Sequence, residues 1–427
     1  MAGLILVLPL AAWADDKPLT LADAIAAASE PHPQLDVAKA DLDLALADQR
    51  LADSRNNLAI SLDGELRSGI PTTGPDEGRW AADNSVRLVA RKTLFDFGRN
   101  ARAVAAAHSE TSAREINLLE VKDARRINIM ARFFDVLLAD MQDAAANEYM
   151  AVAYTRWDDA KSRLELGQMS PSELAELEAQ YQDLRERRNR AAQQVRASRE
   201  KLADALNRPG RLSRDLERPR LPQNDVPLPD YEVLLAVATG ENPSMRALRA
   251  QIEGAALRAD AVRREQGPSL DAELAGAGYS RDVTTRDSVS AGVVISWPLY
   301  QGERVDARMA REAAQREKLR AQLAQTRMDI AEQLLDILDE IEWLRTGARP
   351  AATTQVAYRD LALDRARAEY EMELKTNLGF AMADTQAAAI RKTRVEYRLA
   401  LALARLEALV GEPLDAIVAR ARKKERS

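Results

Sequence analysis

The chain has 427 residues, 30% of them charged and only 4% aromatic, a profile that suits long helices better than a conventional globular core. Its 61 basic and 67 acidic side chains leave a net charge of −6, too mild and of the wrong sign to suggest a nucleic-acid partner. With no cysteine and two histidines, disulfides, thiol catalysis, lipidation at an N-terminal cysteine and a histidine-rich metal site are excluded, and no cofactor is expected.

The N-terminus reads MAGLILVLPLAAWADDK. Leu4 to Leu10 form a short apolar run, and Ala12-Trp13-Ala14 fits a small-x-small cleavage site before Asp15. Residues 1–14 are therefore expected to be an export signal, although no basic segment precedes the apolar run. The run is too short for a transmembrane helix, and a hydrophobic N-terminal strand is the alternative. His32, in EPHPQ, is expected as a turn residue, and His108 as the surface of an alanine-rich helix.

Two copies of one pattern follow, over residues 15–206 and 232–413. Helical periodicity at 32–55 and 242–265 opens each copy after an X-Pro step, and the phrases SLDGEL (61–66) and SLDAEL (269–274) come next. Strand pairs are expected at about 58–69 and 84–95, and at about 269–280 and 288–299. Leu58, Ile60, Leu62 and Leu66 alternate with Ser61, Asp63, Glu65 and Arg67. Val86, Leu88 and Leu94 alternate with Arg87, Arg91 and Thr93, interrupted by Lys92. In the second copy Asp271 and Glu273 hold the places of Asp63 and Glu65. A strand of about ten residues with this period suits a membrane barrel, apolar towards lipid and polar towards the lumen. A half-buried soluble sheet shows the same alternation, and the pattern alone leaves both open. Phe95, Phe97, Trp80, Tyr279, Trp297 and Tyr300 near the strand ends suit an interfacial girdle and equally ordinary strand propensity.

After TLFDFGRN (93–100) and PLYQGERV (298–305) each copy enters a long helical pattern. No proline interrupts Gly98 to Leu166, so one continuous helix there would be about 100 Å long. Two series of heptad-like spacing run from Ile116 through Met141 and from Leu174 through Ala205, the latter alternating by three and four residues without a break. Between them Gly167 offers a helix stop, while Ser170 before Pro171 offers a cap and first turn. An antiparallel hairpin is expected. The Pro-rich stretch 207–231 separates the copies, and 414–427 is expected as a basic, solvated tail.

Four strands cannot close a barrel, and open edges in lipid leave backbone groups unpaired. If the strands span a membrane, several copies must share one barrel. An enzyme is not expected. There is no Gly-rich phosphate loop and no nucleophile with a histidine nearby. Carboxylate pairs such as Asp158-Asp159 suit a solvated coil face.

The order helix, strand pair ending in LFDFG or PLYQG, long hairpin, second copy and closing ALVGEP resembles the TolC-like outer-membrane efflux proteins over about residues 19–415. The resemblance implies a mainly α fold with a small β part: long helical hairpins forming an α-barrel, and four strands per chain contributing to a shared trimeric transmembrane β-barrel. It implies a homotrimer in the outer membrane of a Gram-negative cell, with its helices in the periplasm. Such a channel passively conducts substrate in tripartite efflux or type I secretion. Its partners are a periplasmic adaptor (membrane fusion protein) and an inner-membrane pump of RND, ABC or MFS type. Asp63, Glu65, Arg67, Arg87, Arg91, Asp271 and Glu273 then face the lumen. The hairpin tips, with Gly167, Gln168, Met169 and Ser170 on one and Lys375, Thr376 and Asn377 on the other, are expected to contact the adaptor. Asp384 is the candidate for a pore constriction, with a solvated helix position as its alternative. Around it the chain departs from the family: Lys375 and Asn377 stand within the tip motif, and Ala381 where a second aspartate often lies. A soluble periplasmic coiled-coil adaptor or structural protein is the alternative for the whole chain.

Overall fold

The computed structural model describes residues 18–72, 77–210, 215–281, 286–372 and 377–425. The expected signal segment, Lys375 and Thr376 lie outside these residues. Helices α1 (Leu21–Ala26) and α2 (Pro33–Ser54) lead into strands β1 (Ala59–Glu65), β2 (Ser68–Gly69), β3 (Ala81–Ala82) and β4 (Ser85–Phe95). Helices α3 (Arg99–Glu165) and α4 (Pro171–Ala205) complete the first copy. The second copy repeats the order: α5 (Tyr231–Glu241), α6 (Pro243–Arg263), β5 (Ser269–Tyr279), β6 (Val289–Ser296), α7 (Arg304–Glu342), α8 (Arg349–Glu371) and α9 (Leu378–Val410). Helix α10 (Leu414–Glu425) follows. α2 and α6 both start on the proline of their X-Pro step, where the missing N–H costs nothing.

Contacts divide the chain into two compact units. One comprises residues 1–36, 119–242 and 328–427, the other 37–118 and 243–327, so each unit draws on both copies.

The unit of 37–118 and 243–327 holds the four-stranded antiparallel sheet β1-β4-β5-β6. Pairings Asp63↔Arg87, Arg91↔Glu273 and Asp271↔Val294 fix its register. Cross-strand partners share a face, so these residues stand on one side. Ile60, Leu62, Leu88, Leu274, Val293 and Ile295 stand on the other. That apolar face is bare: Leu62 is 70% and Ile295 72% exposed. Lys92 interrupts it, as the alternation indicates. Between β1 and β4 the two-residue ladder β2–β3 was not expected, because a ladder so short carries no sequence period.

Each strand-to-helix corner uses two successive left-handed residues, Phe97-Gly98 and Gly302-Glu303. The repeated LFDFG and PLYQG phrases are these corners. Asp96 holds the first one, its carboxylate accepting from the Gly98 and Asn100 N–H groups at 3.1 and 2.7 Å.

α3 runs unbroken for 67 residues, as its lack of proline predicts. The Leu174–Ala205 series is also realised. Its members are half-buried along α4 and become buried at Ser198, Leu202 and Ala205. In the 116–141 series Leu119 is exposed instead. Ile129, Phe133 and Val136 are buried beside the series, because around them α3 packs on more than one side. They join Leu202 and Tyr397 in the core of the unit of 1–36, 119–242 and 328–427, where Phe134 and Tyr397 stack with centroids 4.2 Å apart.

The second long helix differs. α7 and α8 are joined by a π-helical turn, Trp343–Ala348, in which the Arg349 N–H reaches the Leu344 carbonyl. Pro350 supplies the reason: it has no N–H for the Thr346 carbonyl and its ring crowds that turn, and one wide turn absorbs both. The C-terminal segment also departs from expectation. It is not a bare solvated tail, since it begins as α10 with Leu414 and Ile417 buried.

Candidate functional site

The first hairpin end is built by local chemistry. α3 stops where Gly167 takes φ +69°. The Gly167 N–H donates to the Leu164 carbonyl and the Gln168 N–H to the Arg163 carbonyl, both at 2.9 Å. This paired reversal satisfies the last carbonyls of the helix and favours glycine at its left-handed position. Ser170 then caps α4: its Oγ accepts from the Glu173 N–H while the Glu173 carboxylate accepts from the Ser170 N–H at 2.8 Å. Those bonds hold the Glu173 carboxyl below the usual range. Gly167, Gln168 and Ser170 are exposed and Met169 is half-buried.

Of the second hairpin end, Asn377 and Asp384 are described. Asn377 precedes α9 and its side-chain carbonyl accepts from Arg156 of α3. The same guanidinium lies over the Phe380 ring, 4.3 Å from its centroid, and burial lowers its pKa. α9 comes close to α3 at Gly379, where a β-carbon would fall 2.4 Å from Val152 Cγ2.

Asp384 is neither a free acid nor a solvated coil residue. Its Oδ2 accepts from Arg359 Nη1 of α8 at 2.7 Å, and its Oδ1 accepts the hydroxyl of Tyr149 on α3. Three helices therefore meet on one carboxylate. Burial, with the hydrogen bond to Asp384 second, pushes the Tyr149 phenol well above its ordinary pKa, so it remains a donor. The carboxylate named as the constriction candidate is paired within its own chain. Tyr149, Arg156 and Arg359 were not foreseen. Nothing local marks them among the many charged residues of the coil.

On the sheet, Arg87 and Arg91 of β4 both donate to Glu273 of β5, at 2.7 and 2.9 Å. Thr93 donates to Asp271 at 2.6 Å, and Ser61 to Asp63 at 3.3 Å. Asp63, Glu65, Arg87, Arg91, Asp271 and Glu273 thus share the polar face. Arg67 lies just beyond β1 and turns to another task. With Arg286 it clasps the buried Asp83 between β3 and β4, Arg286 donating at 2.8 and 3.2 Å. Those guanidinium hydrogen bonds, Arg286 first, hold the Asp83 carboxyl far below the usual carboxylate range. At the opposite end of the strands Phe95, Trp297 and Tyr300 are exposed, Tyr300 by 88%.

The segment between the copies is fastened to the π turn. Arg345 donates to the Asn224 and Val226 carbonyls at 2.9 and 2.7 Å. Arg349 forks onto Glu396 at 2.8 and 2.7 Å and reaches Asp225 at 2.7 Å. The Asn224 amide donates to the Glu396 carbonyl at 3.0 Å. His32 is the turn residue expected, its Nδ1 accepting from the Gln34 N–H at 3.1 Å, and His108 is exposed.

Among the described residues no three His, Asp or Glu side chains form a metal cluster. None of the described helices is long and apolar enough to cross a membrane. Residues 234–412 match the profile of the family described as outer membrane efflux protein. No curated protein sequence matches the chain. Among solved structures it is similar to the outer membrane protein VceC of Vibrio cholerae, with 18% identity, TM-score 0.72, and 92% of this chain and 96% of that one covered. It is similar to the CmeC outer membrane channel of Campylobacter jejuni, with 13% identity, TM-score 0.75, and 94% and 88% covered. The open state of the MtrE outer membrane channel of Neisseria gonorrhoeae gives 18% identity, TM-score 0.67, and 92% and 89% covered. The chain therefore has the fold of the outer-membrane efflux channels, and its second copy matches the outer membrane efflux protein family.

Proposed function

We propose that the chain is one subunit of an outer-membrane efflux channel, in which three copies pool their sheets into one barrel and their helices extend into the periplasm. The observation that carries this reading is the sheet. It has a charged face, an exposed apolar face and two unpaired edge strands, β1 and β6. Unpaired edges are untenable in lipid, and a sheet closed by further copies removes them. The charged face then lines the lumen and the apolar face meets lipid, with aromatic side chains at the strand ends. No chemistry is needed for conduction, and a pump in the inner membrane would supply the energy.

Within this reading the exposed turn at Gly167–Ser170 contacts a periplasmic adaptor, and the second hairpin end closes the pore. Asp384 acts there as a fastening. With Arg359 and Tyr149 it ties α8 and α9 to α3, and opening requires those bonds to break. Both multidrug efflux and type I secretion fit such a duct. Planar-bilayer recording of the protein extracted from outer membranes tests the proposal. Discrete ion-conducting steps are expected, and an intact protein that never conducts, found only in the soluble periplasmic fraction, would overturn it.

A further inference from the structure

A hollow of about 700 Å³ opens between α3, α4 and α9, within the unit of residues 1–36, 119–242 and 328–427. Ala145 of α3 and Ile390 of α9 are its buried part, with the half-buried Leu184 of α4 and Phe380 of α9 beside them. Three exposed guanidinium side chains complete the lining: Arg187 of α4, and Arg391 and Arg394 of α9. The two on α9 stand three positions apart and therefore share one side of that helix. No acidic side chain lines the hollow. Tyr149 contributes its ring, 6.2 Å from that of Phe380, while its hydroxyl is already given to Asp384.

Elsewhere on the same helices bases find acids. Arg199 of α4 donates to Asp140 of α3 at 2.7 Å, Arg190 to Glu186 within α4 at 2.6 Å, and Arg398 of α9 to Glu340 at 2.9 Å. Arg187, Arg391 and Arg394 have no hydrogen-bond or ion-pair partner among the described residues. Three like charges thus gather around one apolar recess with nothing of the opposite sign in it, and an anion placed there relieves their repulsion. A guanidinium presents its donors as a fork that fits a carboxylate or sulfonate. The apolar part of the lining suits a hydrophobic body. An inorganic anion would use the bases and leave the recess wet, and a neutral apolar molecule would leave the charges facing one another.

We propose that this hollow binds an organic anion with an apolar body, such as an aromatic sulfonate or carboxylate. Arg187, Arg391 and Arg394 hold the charged group, and Leu184, Phe380 and Ile390 pack against the body. The site lies within one chain, so it depends neither on the shared barrel nor on conduction.

Isothermal titration of the full chain in a neutral detergent tests it, with naphthalenesulfonate as the probe and naphthalenemethanol as its uncharged counterpart. The sulfonate is expected to bind one site per chain, at least about tenfold more tightly than the alcohol. Arg391→Ala combined with Arg394→Ala should weaken sulfonate binding at least about tenfold. Arg391→Lys combined with Arg394→Lys keeps the charge and should stay within about threefold of the unmodified chain. That recovery excludes misfolding as the defect of the alanine variant. Ala387→Trp, at an exposed position of the lining, should fill the hollow and abolish sulfonate binding. A sulfonate bound no more tightly than the alcohol would overturn the proposal, as would an alanine variant that binds like the unmodified chain. Sulfonate binding that survives Ala387→Trp would place the anion on the outer helix surface and overturn it as well. So would an unmodified chain that binds neither probe.

Discussion

At Asp384 a single carboxylate holds three helices through Arg359 and Tyr149. The pair with Arg359 is about two-thirds screened from solvent on both sides, so its worth is modest, about 1 kcal/mol. Removing it should shift a closed-to-open balance roughly fivefold. Asp384→Asn and Tyr149→Phe are therefore expected to raise open probability in bilayers, Tyr149→Phe with ion preference unchanged because it alters no charge. A changed ion preference at constant open probability would show instead that Asp384 acts as a bare charge. Asp83 offers a second test through pH. Its pKa is depressed when folded, so the stability it contributes is complete above the unfolded value of about 4 and declines as pH falls below it. Asp83→Asn should lower the unfolding temperature at pH 7, and the gap should narrow at pH 3. A gap that widens in acid would contradict the clasp.

Among the elements, those with local rules were legible in the sequence. The period of two put Asp63 and Leu62 on opposite faces, and the register of β1 with β4 keeps them there. The turn at 163–174 was readable because Gly167, Ser170 and Glu173 form it through bonds to near neighbours. What escaped depends on distant partners or on competition within an element. Tyr149 finds Asp384 across 235 positions, and no sequence period links them. Pro350 was visible, yet the chain resolves it with a π turn rather than a break. Two predictions belong at this scale. Leu62→Arg should destabilise the assembled barrel by about 2–4 kcal/mol near mid-membrane, against little for Asp63→Arg. Equal yields of assembled protein from both would mean that the faces are reversed. At Gly167 an added Cβ would meet no non-adjacent residue within 4 Å, so the left-handed backbone sets the cost of a side chain there, about 1–2 kcal/mol. Gly167→Val should weaken adaptor-dependent export while leaving the barrel intact, and unimpaired export would remove the turn from the docking account.

For the whole molecule, the duplication, the long helix and the four strands all followed from repeated phrases and uninterrupted periods. The compact units did not, because each assembles parts of both copies and the pairing of β4 with β5 joins residues far apart in the chain. The edges β1 and β6 and the bare apolar face are what the proposed shared barrel would complete. The mass of the particle extracted from outer membranes in mild detergent tests that claim most directly. Three chains per particle are expected, whereas a stable monomer that keeps its four-stranded sheet in detergent would contradict the shared barrel.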